Sequence, residues 1–92
     1  MREACEQDLP QLVQLEASCN PHPWNAKQLQ SSLQQDTVWV IEEQSQIVAM
    51  LVSKSILQEA EIYLVNTAPA FRRQGLAKRL IEQSQQIGRA HV

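Results

Sequence analysis

Phe71-Arg72-Arg73-Gln74-Gly75-Leu76-Ala77 lies between a strand-like run, Glu61 to Thr67, and a helix-like run that opens at Gly75. Strand, short loop with one glycine, then helix is an arrangement suited to a phosphorylated cofactor. The start of a helix offers backbone N–H groups without intrahelical partners and a partial positive charge, and both attract an anion. Gly75 removes the side chain where a pyrophosphate would approach the backbone, and Ala77 keeps the next turn small. Arg72 and Arg73 add positive charge at the rim. A plainer alternative is an exposed turn or a helix cap, which one glycine beside two arginines often marks. Against it, Gly75 begins the apolar-periodic run and does not end it. Leu76, Ala77, Leu80 and Ile81 make one helical face, with Lys78, Arg79, Glu82 and Gln83 on the other.

Working outward from this loop, the preceding segments read as strands. Thr37 to Glu43 carries Val38, Trp39, Val40 and Ile41, all β-branched or aromatic. Gln44-Ser45-Gln46 is the expected turn, without the usual Asn-Gly or Asp-Gly. Ile47 to Leu57 is a second strand and Glu61 to Thr67 a third. Nearer the start, Met1 to Cys5 reads as a short first strand. Asp8 is placed to cap a helix with Pro10 in its first turn, where a missing N–H costs nothing. Leu9, Leu12, Val13 and Glu16-Ala17 give that helix one stripe, and Asn20-Pro21-His22-Pro23 ends it in a loop. Asn25 with Gln28 three residues on is a capping-box signature for a second helix, whose inward positions are Leu29 and Leu33. The last helix is expected over residues 75 to 86. The order β-α-α-β-β-β-α predicts an α+β fold, an antiparallel meander with helices packed on it.

Ninety-two residues, 43% apolar and 20% charged, set one small globular domain. The longest apolar run, Ile47 to Val52, is too short to span a membrane, and no basic n-region followed by an apolar h-region opens the sequence, so secretion is not expected. Cytoplasm is the default compartment. Cys5 and Cys19 do not make a zinc pattern with His22, so no metal is expected. The net charge of −2 argues against a general nucleic-acid binder, but it is unevenly spread. Residues 1 to 61 hold three basic and nine acidic side chains; residues 62 to 92 hold five basic and one acidic. The positive end coincides with the proposed phosphate loop, as an anionic cofactor requires. A solvated basic helix face is the plain alternative, and a phosphate- or nucleic-acid-binding module using Arg72, Arg73, Lys78 and Arg79 is the competing function. A third possibility is an inactive piece whose exposed edge strand drives association.

The pattern Arg/Gln-x-x-Gly-x-Gly/Ala at a strand-to-helix junction, followed by Leu80-Ile81, resembles the acetyl-coenzyme A loop of the GNAT N-acetyltransferases. The stretch Glu59-Ala60-Glu61-Ile62-Tyr63-Leu64-Val65-Asn66-Thr67-Ala68-Pro69-Ala70-Phe71 leading into it is most similar to the ribosomal-protein alanine N-acetyltransferases. Pro23-Trp24-Asn25 resembles the Pro-Trp-Ser/Thr opening of that subfamily's second helix. The likeness covers roughly residues 1 to 86. Asn66-Thr67-Ala68 departs from the family's usual Ala-Val-Asp at a place where the family uses backbone N–H groups.

The resemblance implies acetyl-coenzyme A as donor, with Val65, Asn66, Thr67, Arg72, Arg73, Gln74, Gly75, Leu76 and Ala77 around it. It implies a polypeptide N-terminus as acceptor, such as that of a small-subunit ribosomal protein; from the apolar runs and the charge, neither membrane nor direct nucleic-acid contact is expected. In the family a fifth strand, a fourth helix and a closing hairpin follow, and the gap between the fourth and fifth strands receives the pantetheine arm. The subfamily's general-base glutamate and general-acid tyrosine lie on that later strand and helix. Within this chain Glu59 and Glu61, at the start of the third long strand, are the catalytic candidates, with solvated carboxylates as the plainer reading. His22 could line the acceptor site, though an exposed loop histidine is the simpler reading. Trp24 either positions the acceptor or staples the second helix, while Tyr63 and Trp39 read as core aromatics. Ile87-Gly88-Arg89-Ala90-His91-Val92 breaks the helical pattern at Gly88. It back-translates as ATC-GGA-AGA-GCA-CAC-GTC, similar to a common sequencing adapter read in frame. The expected division is therefore a partial acetyltransferase domain at 1–86 and a non-native tail at 87–92.

Overall fold

A computed structural model describes the backbone of residues 1–56 and 59–89 and the side chains of residues 1–54 and 61–84. The elements run β1 (Arg2–Glu3), α1 (Leu9–Cys19), α2 (Ala26–Gln35), β2 (Thr37–Glu43), β3 (Gln46–Ile56), β4 (Glu59–Thr67) and α3 (Leu76–Arg89). Short 3-10 turns precede α1 and follow β4, at Glu6–Asp8 and Pro69–Phe71. The four strands form one sheet in the order β1-β2-β3-β4, antiparallel at every junction. This is the predicted order of elements, with the two-residue β1 added at the edge of the meander.

The apolar run Ile47 to Val52 forms the centre of the sheet, and it is buried on both faces. Ile47, Met50 and Val52 pack with Leu12, Leu15 and Leu29 from α1 and α2. Val48, Ala49 and Leu51 pack with Leu76 and Leu80 from α3. A strand covered on both sides cannot keep the polar/apolar alternation of a half-solvated one, hence its unbroken apolar sequence. Wrapping one strand between two helical layers is also how so short a chain buries a core. Leu80 and Leu12 are completely inaccessible, and cutting such a leucine to alanine costs ~2–5 kcal/mol.

Local signals account for the element ends. Asn25 Oδ1 accepts from the Gln28 N–H at 2.8 Å and Gln28 Oε1 accepts from the Asn25 N–H at 2.9 Å, the reciprocal capping box expected at α2. Gln44 and Ser45 both take positive φ, 52° and 66°. Two such residues between strands give the type I′ twist that suits a tight hairpin.

Three expectations need correction. Asp8 does not cap α1 with its side chain. Its carboxylate accepts both terminal nitrogens of Arg2, at 2.8 and 3.0 Å, and the Cys5 N–H at 2.8 Å. It thereby ties β1 to the turn ahead of the helix, because a guanidinium fork offers a carboxylate more than one helix N–H does. Tyr63 is not a core aromatic: it is 42% exposed. Val52 pairs with Leu64 and Ser53 with Ile62, so Tyr63 is the extra residue of a bulge and is turned out of the regular alternation. Trp39, by contrast, is half-buried against the α3-side core. Finally, α3 continues through Gly88 to Arg89. Glycine disfavours a helix by about 1 kcal/mol without forbidding it.

Candidate cofactor cleft

β4 delivers the chain to the cleft, and a short turn hands it to α3. Ala68 N–H bonds back to Val48 C=O at 2.8 Å, the last tie to the sheet. Pro69–Phe71 then makes one 3-10 turn, and Arg72 resumes an extended backbone. Arg73 lies at φ 71° and Gly75 at φ 74°. A non-glycine residue in the left-handed region is uncommon and costs about 1–2 kcal/mol, so the loop holds Arg73 there against its own preference. Alternation of left-handed and ordinary residues turns successive N–H groups toward one point, the geometry of an anion nest.

A Cβ built on Gly75 would meet nothing within 4 Å. Gly75 is thus required by its φ, and the space above it is open to an incoming group. The first intrahelical bond of α3 runs from Arg79 N–H to Gly75 C=O at 3.0 Å. The N–H groups of Leu76, Ala77 and Lys78 precede that ladder at the positive end of the helix.

The open cleft in front of this loop has a volume of about 450 Å³. Of the nine residues that the sequence assigns to the cofactor, Val65, Asn66, Thr67, Arg72, Arg73, Gly75, Leu76 and Ala77 border it. Gln74 does not. Cys19, Phe71 and Lys78 border it as well, and the sequence reading did not assign them. Phe71 and Lys78 flank the motif and could have been included by adjacency. Cys19, distant along the chain, had no signal. Thr67 C=O accepts from Cys19 Sγ at 3.3 Å and from Arg72 Nε at 3.4 Å, so this carbonyl faces away from β3 and into the cleft. In an antiparallel strand the N–H and C=O of one residue share a side and alternate with the next. The N–H groups of Thr67 and Val65 therefore face the cleft too, while those of Asn66 and Ala68 face β3.

The catalytic candidates are elsewhere. Glu61 is exposed, pairs in register with Lys54, and does not border the cleft. It lies about 20 Å of strand from Thr67 at ~3.3 Å per residue. The side chain of Glu59 is outside the described residues. His22 is exposed in its loop, its backbone N–H donating to Asn20 Oδ1. Trp24 and Tyr63 border a separate hollow of about 410 Å³ with Lys27, Gln28, Ser31, Ser32 and Asp36. Among the described residues no three His, Cys, Asp or Glu side chains gather as a metal site, and no helix is long and apolar enough to cross a membrane.

The family model for the acetyltransferase (GNAT) family matches residues 9–91. The chain belongs to that family. Its enzymes draw the acetyl group from acetyl-coenzyme A, the donor that the loop suggested. Among solved structures it is similar to the ribosomal-protein-S18-alanine N-acetyltransferase from Escherichia coli, at 23% identity and a TM-score of 0.81, covering 89% of this chain and 54% of that one. It is also similar to the paia N-acetyltransferase from Thermoplasma acidophilum in complex with coenzyme A, at 12% identity and a TM-score of 0.84, covering 98% and 71%. A third is an aminoglycoside antibiotic 6'-N-acetyltransferase from Acinetobacter haemolyticus, at 20% identity and a TM-score of 0.77, again covering 98% and 71%. Likeness at these identities shows a shared fold. A search of curated proteins finds no match. This GNAT chain spans about half the length of the E. coli enzyme.

Proposed function

We propose that this chain carries the acetyl-coenzyme A half of an N-acetyltransferase site that acts on a polypeptide N-terminal amine, of the ribosomal-protein alanine type. One observation carries the reading: Arg73 and Gly75 at positive φ beside the start of α3, with open space above Gly75. The N–H groups of Arg73 to Ala77 would hold the pyrophosphate, and Arg72, Arg73 and Lys78 would supply countercharge. The outward N–H groups of Val65 or Thr67 would donate to the thioester oxygen and stabilise the charge that develops there.

In the transfer the amine nitrogen attacks the thioester carbon, the carbon–sulfur bond breaks, and the amine proton leaves as the thiolate gains one. An α-amine titrates near ~8, so at neutral pH a base has only a modest task. Orientation of two substrates in one cleft supplies much of the rest. The polypeptide acceptor is supported by the name of the E. coli relative and by the acidic balance of residues 1 to 61, which suits a basic chain. The Trp24–Tyr63 hollow is a candidate surface for it.

Calorimetric titration with coenzyme A tests the cofactor half. The native chain binds, and Gly75→Glu, which puts a carboxylate in the pyrophosphate position, abolishes binding while the circular dichroism spectrum is kept. Equal affinities, or salt-steep binding to any DNA duplex in place of coenzyme A, would overturn it. For the acceptor, an alanine-initiated basic peptide should shift the Trp24 indole resonance where an aminoglycoside does not; the reverse would reassign the substrate.

A further inference from the structure

Glu16, on α1, is completely buried, and no cation lies against it among the described residues. Its two oxygens are engaged separately. Oε2 accepts the Trp24 backbone N–H at 2.8 Å. Oε1 accepts from Asn66 Nδ2 at 2.8 Å, inside the protein. One carboxylate thus joins three segments: α1, the loop that ends at Trp24, and the cleft-lining end of β4. No buried side-chain nitrogen or oxygen among the described residues lacks a partner. The cofactor mechanism makes no use of it.

The cluster is placed to do one thing. Asn66 sits between Val65 and Thr67, whose N–H groups face the cleft, and Glu16 holds it from the α1 face of the sheet. One turn further along α1, Cys19 touches Thr67 C=O. The same carboxylate anchors the loop carrying Trp24, which borders the second hollow. We propose that Glu16 is a positioning residue, a buried two-way clamp that sets the Trp24 loop and the thioester end of β4 in fixed relation. It rests on the cofactor reading for its functional consequence, and on the hydrogen bonds alone for the clamp itself. Among the described residues the loop after Pro69 has no hydrogen bond to Glu16 or Asn66, and it reaches this end of β4 through the long Arg72 Nε to Thr67 C=O bond of 3.4 Å, so the clamp acts chiefly on the pantetheine and acyl end of the ligand.

The substitutions follow from the chemistry. Glu16→Ala leaves the Trp24 N–H and the Asn66 amide buried without partners, a destabilising state. Glu16→Gln keeps both bonds: the amide oxygen accepts from Trp24, and its nitrogen donates to Asn66 Oδ1 once that amide flips. Asn66→Asp sets two carboxylates together in the interior, and Glu16→Gln in the same chain relieves them. The native chain and these variants are titrated with coenzyme A and with its adenosine 3'-phosphate 5'-diphosphate portion, and the Trp24 amide is followed by hydrogen exchange.

Glu16→Ala and Asn66→Asp should weaken coenzyme A about tenfold, the scale of one buried hydrogen bond, and leave the nucleotide portion within about twofold. The Trp24 amide should lose protection in Glu16→Ala. Adding Glu16→Gln to the Asn66→Asp variant should restore coenzyme A affinity and leave the Trp24 amide protected. Equal loss for both ligands would reduce Glu16 to a general stabiliser and overturn the proposal. So would loss of Trp24 protection in Glu16→Gln alone, because the clamp would then need charge and not geometry. If the native chain binds neither ligand, the cofactor reading falls, while the exchange pattern still decides whether the clamp exists.

Discussion

At Arg73 the backbone and the side chain make separate contributions that substitution can pull apart. Its left-handed φ of 71° is a conformation that a β-branched residue tolerates least. Arg73→Val should therefore cost about 1–2 kcal/mol in urea unfolding, while Arg73→Gly leaves stability unchanged or slightly raised. Both remove the charge, so both should weaken coenzyme A; a glycine variant with native affinity would show that only the backbone matters. Charge itself is read by a pair of substitutions. Replacing Arg72 and Arg73 together by Gln should weaken coenzyme A more than dephospho-coenzyme A, with charge-assisted contacts contributing roughly 1.5–3 kcal/mol. An identical loss for the two ligands would remove either arginine from the ribose phosphate. The loop motif was legible because its glycine, small residue and charges occur at fixed spacing. Glu16 was not: in the sequence it is one more residue on a helical stripe, and only folding brings Trp24 and Asn66 to it.

Among the elements, the β2–β3 hairpin and the β1–α1 junction depend on identifiable groups. Gln44 and Ser45 occupy positive-φ positions without the residues that favour them. Gln44→Asn with Ser45→Gly should raise stability by about 1 kcal/mol, seen as a higher thermal midpoint with no change in coenzyme A affinity. No gain would mean that the strands, and not the turn, set the register. At the junction, the Arg2 hydrogen bonds hold the Asp8 carboxyl down to about 2 from its ordinary 3.8, against the opposing effect of burial. A folded pKa below the unfolded one contributes stability that is present above pH ~4 and is lost as pH falls from about 4 to about 2. The Arg2 side chain is 42% exposed, so screening reduces the effect to about 1 kcal/mol. Asp8→Asn should flatten that part of the pH–stability curve; an unchanged acid limb would place the effect on other carboxylates. Periodicity showed each long element within a few residues. It failed at Tyr63, because a bulge shifts the alternation and no local signal announces one.

For the whole molecule, what borders the cleft limits the chemistry. Its lining, formed by Cys19, the Val65–Thr67 end of β4 and the loop and first turn of α3, holds no carboxylate, histidine or tyrosine among the described residues. The Cys19 thiol is engaged by Thr67 C=O. The 92-residue chain should therefore bind coenzyme A without catalysing transfer. Incubation with acetyl-coenzyme A and an alanine-initiated basic peptide, followed by mass spectrometry, should show no acetylation above the unenzymatic control. Multiple turnovers would mean that the described cleft holds a working base, and Glu59 and Glu61 would be the first to substitute. Among the described residues β4 has a neighbouring strand on one side only, a geometry prone to pairing. We further propose that residues 1–86 form the domain part and that 87–92, into which α3 runs as far as Arg89, are a non-native tail; removing the tail should leave the thermal midpoint unchanged.

The sequence by itself determined the order of the elements and the place of the glycine loop between β4 and α3. These rest on local physics: helical and strand periods, capping side chains, and one glycine at the start of a helix. The tertiary structure alone decided which residues meet across the chain. The burial of β3 between two helical layers, the turn of Tyr63 to the surface, Cys19 at the cleft and the Glu16 cluster all depend on contacts between segments far apart in sequence. Such contacts form only when the sheet's register and bulge are set, and that is a property of the packed whole.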